Sequence, residues 1–165
     1  MGDCTDIQIR AARPGDAATI HALTTALAND IDSVQQVTSA PGDFEKYGFG
    51  DKQRFSALLA ECKQRAVGLC IFFPTFSSWR GEPGIYVQDL YVSGDARGTN
   101  IGQRLLAEAV RRSSEDGATH IRLCVDHTNT AAQVFYEAIG MRWRDDERVF
   151  EASGVDFVAL GSSRR

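Results

Sequence analysis

The residues with the clearest chemistry lie in a turn between a predicted strand, Ile85–Val92, and a predicted helix. The turn covers Ser93–Asn100. A helix start exposes backbone N–H groups and the positive end of the helix dipole, and Gly98 and Gly102 let an anion approach the backbone closely. Arg97 adds a full positive charge beside them. The pattern predicts an anion-binding loop, although a turn that needs glycine only for its backbone angles has the same pattern.

Alternating and apolar segments predict the strands that must position this turn, and periodic apolar residues predict the helices. We expect strands at Asp6–Arg10, Phe55–Cys62, Val67–Phe73, Ile85–Val92, Ile121–Val125, Arg142–Phe150 and Val155–Leu160. We expect helices after Asp16, from Ile101 to Asp116 and over Thr130–Ile139, the last ending at Gly140. Residues 29–50 are predicted to be a loop with a short helix or two that forms one wall of a site, and Ser77–Gly84 another loop. The order predicts one α/β (α+β) domain over residues 1–165, with an ordered core of about 6–160 and a tail at 161–165.

Composition excludes several classes of protein. The 165 residues carry 18 Lys and Arg against 22 Asp and Glu, a net charge of −4, which disfavours nonspecific nucleic-acid binding. None of the four cysteines forms a C-x-x-C pair, so we expect no metal site, a reducing compartment, and small-hydrophobe roles for Cys70 and Cys124. We see no leader and no membrane span, and therefore expect a cytoplasmic protein without a membrane partner.

The loop and three further segments of the chain resemble motifs of a known protein superfamily. Residues 97–106 resemble the acyl-CoA pyrophosphate loop of the GNAT N-acetyltransferase superfamily, and residues 129–141, with Asn129, Phe135-Tyr136 and Gly140, resemble its second CoA segment. Residues 73–81, followed by residues 88–92, resemble a narrower branch, the diamine (spermidine/spermine) and thialysine acetyltransferases. The resemblance implies the GNAT fold, a mixed and mostly antiparallel sheet flanked by helices, with acetyl-CoA as co-substrate.

The resemblance also implies how acetyl-CoA is held. The backbone of Leu90, Tyr91 and Val92 would pair with the pantetheine arm, and an N–H in this strand would face the thioester oxygen. The pyrophosphate would bind the loop residues Arg97, Gly98, Thr99, Asn100, Ile101, Gly102 and Gln103. Asn129 would bond the arm, and Phe135 and Tyr136 would contact the cofactor. Asn100 departs from the family's middle glycine, but Asn is the non-glycine residue that best tolerates a positive φ.

The resemblance implies that the phenol of Tyr136 lies near the cofactor sulfur. Tyr136 is therefore the predicted general acid, since a phenol can donate a proton to the departing thiolate. The alternative is that Phe135-Tyr136, at helical spacing from Ala132 and Ile139, belongs to the core. The identity of the general base stays open. The diamine branch has Glu where this chain has Gln88, so deprotonation through water, with Asp89 or Tyr86 taking part, is one hypothesis, and a structural role for Asp89 is another.

The predicted acceptor site comprises Trp79, Gln88, Asp89 and Asp32. Ile31, Gln88 and Ser77 stand where the diamine branch places acids, so we expect poor activity on spermidine and spermine. A shorter amine fits better, including one with a carboxylate that Arg80 would bind. We therefore predict an N-acetyltransferase for small primary amines, diamine-like or lysine-analogue-like, acting as a homodimer. The alternatives are a protein N-terminal or lysine acetyltransferase, disfavoured if Trp79 and residues 29–50 cap the site, and a non-catalytic acyl-CoA sensor.

Overall fold

A computed structural model describes residues 6–162, which form two compact units that divide between Asn129 and Thr130. We call them the sheet unit (6–129) and the C-terminal unit (130–162). The elements are β1 (Ile7–Ala11), α1 (Ala17–Asp30), α2 (Pro41–Phe49), β2 (Ser56–Cys62), β3 (Arg65–Ser77), β4 (Glu82–Val92), α3 (Ile101–Glu115), β5 (Ile121–Leu123), α4 (Thr130–Ala138) and α5 (Gly154–Ser162). No helix within residues 6–162 is long and apolar enough to cross a membrane.

The sheet has five strands in the order β1-β2-β3-β4-β5. Neighbouring strands are antiparallel except β4 and β5, which run parallel over only Ile85–Val87 and Ile121–Leu123. This confirms the predicted mixed and mostly antiparallel sheet. Because the parallel ladder ends at Val87, β4 continues toward the loop with a ladder to β3 alone among the described residues.

A β-bulge interrupts β4 just after this point. Ile71 of β3 faces Asp89 and Phe72 faces Val87, so Gln88 is an extra residue without a partner on β3. A bulge bends the strand and re-aims the neighbouring side chains. The local sequence pattern does not reveal it, because it is defined by the register with β3.

The core holds α1 and α3 against the sheet. Ile20 and Leu23 of α1 are buried in one cluster with Leu59, Leu69, Ile71 and Tyr91. The start of α3 lies against Gly68, where an added Cβ would meet the side chains of Ile101 and Leu105 at 3.1 Å. Since Gly68 also pairs with Val92, this close approach fixes the start of α3 beside the end of β4.

The hairpin of β3 and β4 is longer than the sequence predicts. The loop expected at Ser77–Gly84 is wrong, because the ladder extends to Ser77 and Glu82 and leaves a turn of residues 78–81. Serine, proline and glycine favoured a loop, but cross-strand pairing of the flanking residues overrides that preference.

The C-terminal unit also departs from the prediction. The strands expected at Arg142–Phe150 and Val155–Leu160 are wrong, because residues 141–153 form no helix or strand and α5 covers the second segment. Val155 and Val158 are three residues apart, which suits a helix, and Asp156 in the first turn favours a helix start. The expected tail begins inside α5, and residues 163–165 lie outside the described residues.

Candidate functional site

The loop between β4 and α3 has a backbone conformation that depends on two residues. Gly98 has a φ of +77° and Asn100 a φ of +60°, both in the left-handed region. Asn100 is the residue that precedes α3, and its side chain makes no capping hydrogen bond. The tolerance for positive φ expected of Asn100 is what the loop requires, so the departure from glycine leaves the turn intact.

This backbone leaves a row of donors available. Within residues 6–162, none of the N–H groups of residues 98–103 donates a hydrogen bond, and the first one to do so is Arg104, to the Asn100 carbonyl. Unpaired N–H groups at a helix start favour an anion, both as donors and through the helix dipole. The loop therefore has the chemistry to bind a phosphate group.

Arg97, beside these donors, already has partners in the sheet unit. Its Nε donates to the Val92 carbonyl at 2.9 Å, its guanidinium pairs with Asp30 at the end of α1, and the guanidinium carbon lies 6.0 Å from the centre of the Tyr91 ring. An incoming phosphate would compete with Asp30 for Arg97. Sequence reasoning missed this pair, because no local spacing connects residues 67 positions apart.

The end of β4, beside the loop, has a neighbouring strand on one side only among the described residues. Leu90, Tyr91 and Val92 pair with β3 on one side, while the ladder to β5 stops at Val87. Among the described residues, no strand occupies the other side of this segment. An extended ligand with amide groups can bind there as an additional strand does.

At the bulge, Asp89 is a half-buried carboxylate. Its side chain has no hydrogen bond or ion pair within residues 6–162, and burial raises the pKa of its carboxyl group above the ordinary value. Gln88, next to it, is exposed and neutral. A buried carboxylate without a partner is costly, which argues against a purely structural role for Asp89.

Tyr86 and Cys124 lie where β4 and β5 separate. The Tyr86 ring stacks on Phe73 with centroids 5.3 Å apart, and burial together with contact to the Cys124 thiol raises the pKa of Tyr86 to about 12. The expectation that Cys124 is a buried small hydrophobe is wrong, since it is exposed, whereas Cys70 is fully buried as predicted. A phenol with this raised pKa is neutral at pH 7.

Comparison with known families identifies the chain. The model of the acetyltransferase (GNAT) family matches residues 23–141. The chain belongs to the GNAT family. This stretch contains both the end of β4 and the loop of residues 97–103, and it makes the protein an N-acetyltransferase, as the motifs predicted.

Individual relatives agree with this membership. A thialysine N-epsilon-acetyltransferase from Bos taurus is 28% identical over 142 residues, covering 81% of this chain and 83% of that protein. An L-ornithine N5-acetyltransferase from Arabidopsis thaliana is 25% identical over 93 residues, covering 56% of this chain and 41% of that protein. The structure of an integron cassette protein from the V. cholerae mobile metagenome matches with a TM-score of 0.80 at 17% identity, covering 95% of this chain and 98% of that one. The first relative bears out the predicted resemblance to the thialysine branch.

Two predicted acceptor residues of this GNAT protein lie apart from the bulge. Trp79 is 100% exposed at the tip of the β3–β4 hairpin, and Arg80 lies beside it in the same turn. From Glu82 at the start of β4 to Asp89 the strand advances about 24 Å. Trp79 therefore neither caps the candidate site within one chain nor anchors the loop, which removes the argument that it excludes a peptide acceptor.

Different segments of the chain carry Asp32 and the residues of the second CoA segment. Asp32 is exposed after α1 with a φ of +53°, and its carbonyl accepts a hydrogen bond from Gln35. Asn129 ends the sheet unit, with its N–H donating to the Asp126 carbonyl at 2.9 Å. Phe135 and Tyr136 lie on α4 in the C-terminal unit, both half-buried, with ring centroids 5.1 Å apart. That α4 and the loop of residues 97–103 contact the same acetyl-CoA molecule thus stays a prediction.

Proposed function

We propose that this GNAT protein transfers the acetyl group of acetyl-CoA to the primary amine of a small molecule. The observation that carries the proposal is the row of unpaired N–H groups at residues 98–103, next to the unpaired side of β4. Together they supply what an acyl-CoA needs, which is anion donors for its pyrophosphate and an extended backbone for its pantetheine arm. The family's use of acetyl-CoA agrees with this arrangement.

In the proposed complex, the backbone N–H groups of residues 98–103 bind the pyrophosphate, and Arg97 approaches it from the side. Leu90, Tyr91 and Val92 pair with the pantetheine arm. Asn129 bonds the same arm and Phe135 packs beside it, as the family resemblance implies. The bulge at Gln88 supports this placement, because it bends β4 where the thioester would lie.

The proposed reaction begins with loss of one proton from the acceptor's ammonium group. The neutral amine attacks the thioester carbon, a backbone N–H of β4 donates to the developing oxyanion, and the carbon–sulfur bond breaks. The Tyr136 phenol donates a proton to the departing thiolate and regains one from the nitrogen, directly or through water. The products are the N-acetyl amine and CoA with a free thiol.

Asp89 is the proposed acceptor of the ammonium proton, through a water molecule. Gln88 has no basic group, and Tyr86 with a pKa raised to about 12 stays protonated. Burial raises the pKa of the Asp89 carboxyl, which makes its carboxylate a stronger base than an exposed one. The nearby bulge brings this side chain to the place where the acceptor would arrive.

The proposed acceptor is a short amine. Ile31 and Gln88 supply no anionic partner for the extra nitrogens of spermidine or spermine. Ser77 pairs with Glu82 at the start of β4, and it therefore lies far from the bulge. The names of the relatives, a thialysine and an ornithine acetyltransferase, agree with a short acceptor.

The test is a panel of primary amines incubated with acetyl-CoA and the full chain, with release of the CoA thiol measured over time. We expect release that depends on both protein and amine, and at least tenfold lower kcat/KM for spermidine than for the best short amine. Binding of acetyl-CoA without release for any amine would instead support a sensor, and spermidine as the best substrate would contradict the acceptor class.

We also propose that the protein is a homodimer, as the family resemblance implies. The C-terminal unit supports self-association, because Trp143 and Phe150 are 83% and 92% exposed, and aromatic side chains are enriched at interfaces. Sedimentation equilibrium should give twice 18.1 kDa at micromolar concentration. A single species of 18.1 kDa would contradict the dimer.

A further inference from the structure

A buried hydroxyl on α1 has no hydrogen-bond partner in the described part of the chain. The Oγ1 atom of Thr24 is screened from solvent and bonds to no group within residues 6–162. The hydroxyl of its neighbour Thr25 instead donates to the His21 carbonyl at 2.9 Å, as threonine in a helix often does. Buried polar atoms of proteins nearly always have a partner, and where protein supplies none the partner is a water molecule or an ion. The Thr24 hydroxyl therefore indicates a binding position next to α1.

Thr24 lies on the side of α1 that packs against the sheet. Ile20 and Leu23 belong to the apolar cluster of the sheet unit, and Leu27 packs against that cluster. Residues three or four positions apart share one face of a helix. Thr24 follows Ile20 by four positions and precedes Leu27 by three, so its hydroxyl is on the sheet-facing side of α1.

The carboxylate of Asp89 faces α1 from the sheet. Asp89 pairs with Ile71 of β3, and Tyr91 pairs with Leu69. Paired residues of a ladder direct their side chains to the same face of the sheet, as do residues two apart along a strand. Ile71, Leu69 and Tyr91 lie in the cluster that contacts α1, whereas a Cβ at Gly68 would point at α3. Asp89 is therefore on the α1 side of the sheet.

The pair of Arg97 and Asp30 brings the ends of α1 and β4 to one point. The Arg97 side chain donates both to the Val92 carbonyl at the end of β4 and to the Asp30 carboxylate at the end of α1. Counted back from this point, Thr24 is about 9 Å away along α1, and Asp89 is about 10 Å away along β4. The hydroxyl and the carboxylate thus lie at a similar distance from the loop, on facing surfaces of α1 and the sheet.

We propose that Thr24 is a positioning residue, whose hydroxyl and the Asp89 carboxylate together bind the water molecule through which the acceptor's ammonium group loses its proton. This rests on the proposed function, because it completes the proton path of the same reaction. The water oxygen takes a proton from the ammonium group and gives one of its own to the carboxylate, while Thr24 Oγ1 accepts its other hydrogen. An N–H and a water O–H bond break, a water O–H and a carboxyl O–H bond form, and the ammonium–carboxylate pair becomes a neutral amine and a neutral acid.

The number of polar groups at this position suits a water molecule. A buried water typically makes about three hydrogen bonds, and here the hydroxyl, the carboxylate and the acceptor nitrogen supply three. A water that donates to the Asp89 carboxylate also favours its ionised form. Loss of the Thr24 hydroxyl should therefore raise the pKa of Asp89 further above its ordinary value.

The kinetic test compares the full-length wild type with three variants of α1. Thr24→Val removes the hydroxyl and keeps the shape, Thr24→Ser keeps the hydroxyl, and Thr25→Val is the matched control on the same helix. The pH profile of kcat is measured with saturating acetyl-CoA and the fastest short amine of the panel. We expect Thr24→Val to lower kcat about fivefold or more and to move the acid limb to higher pH, because Asp89 then ionises at higher pH. Thr24→Ser and Thr25→Val should keep the wild-type profile, and the Kd for acetyl-CoA should stay within about twofold in all variants.

A second readout of the same pair needs no turnover. Because Thr24→Val raises the folded-state pKa of Asp89, the variant loses stability relative to the wild type as pH rises through that pKa. The Tm difference between Thr24→Val and the wild type should therefore be larger at pH 7 than below the ordinary aspartate range. In an Asp89→Asn background the same substitution should give a Tm difference that does not depend on pH.

Other titratable groups near Asp89 do not disturb this readout. Burial raises the pKa of the Cys70 thiol to about 12, and the pKa of Tyr86 is also raised to about 12, so both groups are neutral up to pH 7. His21 and Asp30 of α1 are the same in every variant, and their titration cancels in the difference.

The outcomes separate this inference from the proposed function. An unshifted acid limb in Thr24→Val, or an equal loss of kcat in Thr24→Val and Thr25→Val, overturns the role of Thr24 while acetyl transfer stands. A Thr24→Ser variant that is as slow as Thr24→Val does the same, because the methyl group and not the hydroxyl would then matter. A chain that acetylates no amine in the panel overturns both proposals. If Thr24→Val does not fold, Thr24→Ala removes the same hydroxyl, and the same shift of the acid limb decides.

Discussion

The loop of residues 97–103 and the acceptor face around the bulge are built in different ways. The loop is one continuous segment whose donors are backbone N–H groups, and its shape depends on the φ angles of Gly98 and Asn100. The acceptor face is formed by side chains of β4 at the bulge, among them Gln88 and Asp89, and it depends on the register between β4 and β3.

The loop and the acceptor face therefore differ in how they tolerate substitution. Backbone donors survive most changes of side chain, provided that the φ angles remain accessible. Side-chain groups that act on the acceptor are lost with a single substitution. We therefore expect changes at the loop to alter affinity for acetyl-CoA, and changes at the acceptor face to alter turnover and acceptor choice at nearly constant acetyl-CoA affinity.

The largest expected effect is at Tyr136 of α4, the proposed general acid. Tyr136→Phe removes the phenolic proton and keeps the ring, so turnover should fall roughly 10²–10⁴-fold, while the Kd for acetyl-CoA stays within about threefold. Steady-state kinetics with a short amine, together with a calorimetric titration, measures both quantities. Wild-type turnover under conditions where chemistry limits the rate would make Tyr136 a packing residue.

A smaller effect is expected from the partner of Arg97. Asp30→Asn should free the guanidinium for the pyrophosphate and tighten acetyl-CoA binding about two- to fivefold, the size of an exposed ion pair. The gain should fade at high salt because the charges are screened. In an Arg97→Ala background Asp30→Asn should have no effect on affinity, and an equal gain in both backgrounds would show that Asp30 acts by general charge instead.

The smallest expected effect concerns stability at the bulge. Because the pKa of Asp89 is raised in the folded state, the ionised carboxylate destabilises the fold, and this cost grows as pH rises from the ordinary aspartate range through the raised value. Asp89→Asn should therefore raise Tm at pH 7 by about 2–4 °C, and the difference should shrink as pH falls through the raised pKa toward the ordinary aspartate range. A lower Tm for Asp89→Asn at pH 7 would point to a stabilising interaction of the carboxylate.

The contrast between the two regions also explains what the sequence predicted. The loop and the start of α3 were predictable because the φ preferences of glycine and asparagine are local properties. The bulge at Gln88 and the burial of Asp89 follow from register with β3, and the Arg97–Asp30 pair joins distant segments. No spacing within a short window contains that information.

The wrong predictions have equally local causes. Residues 155–160 alternate in a way that allows a strand, but Val155 and Val158 also fit one face of a helix, and the structure has α5 there. In the β3–β4 hairpin, the composition of residues 77–84 predicted a loop, and the family resemblance placed Trp79 near the acceptor. The extended ladder moves Trp79 to the far end of the strands.

The central claim is that the backbone of residues 98–103 binds acetyl-CoA, and two glycines at opposite ends of α3 offer a matched test. Gly98 and Gly117 have φ angles of +77° and +87°, so alanine at either position strains the backbone in the same way. An added Cβ at Gly98 meets no atom within 4 Å, and one at Gly117 has its nearest contact at 3.7 Å, so neither variant is overpacked.

The deciding measurement is a calorimetric titration of acetyl-CoA into the wild type, Gly98→Ala and Gly117→Ala. We expect both variants to lose about 1–2 kcal/mol of stability, while only Gly98→Ala weakens binding by tenfold or more, about 1.4 kcal/mol. Absence of binding to the folded wild type, or equal affinity for acetyl-CoA in the two variants, would contradict the account.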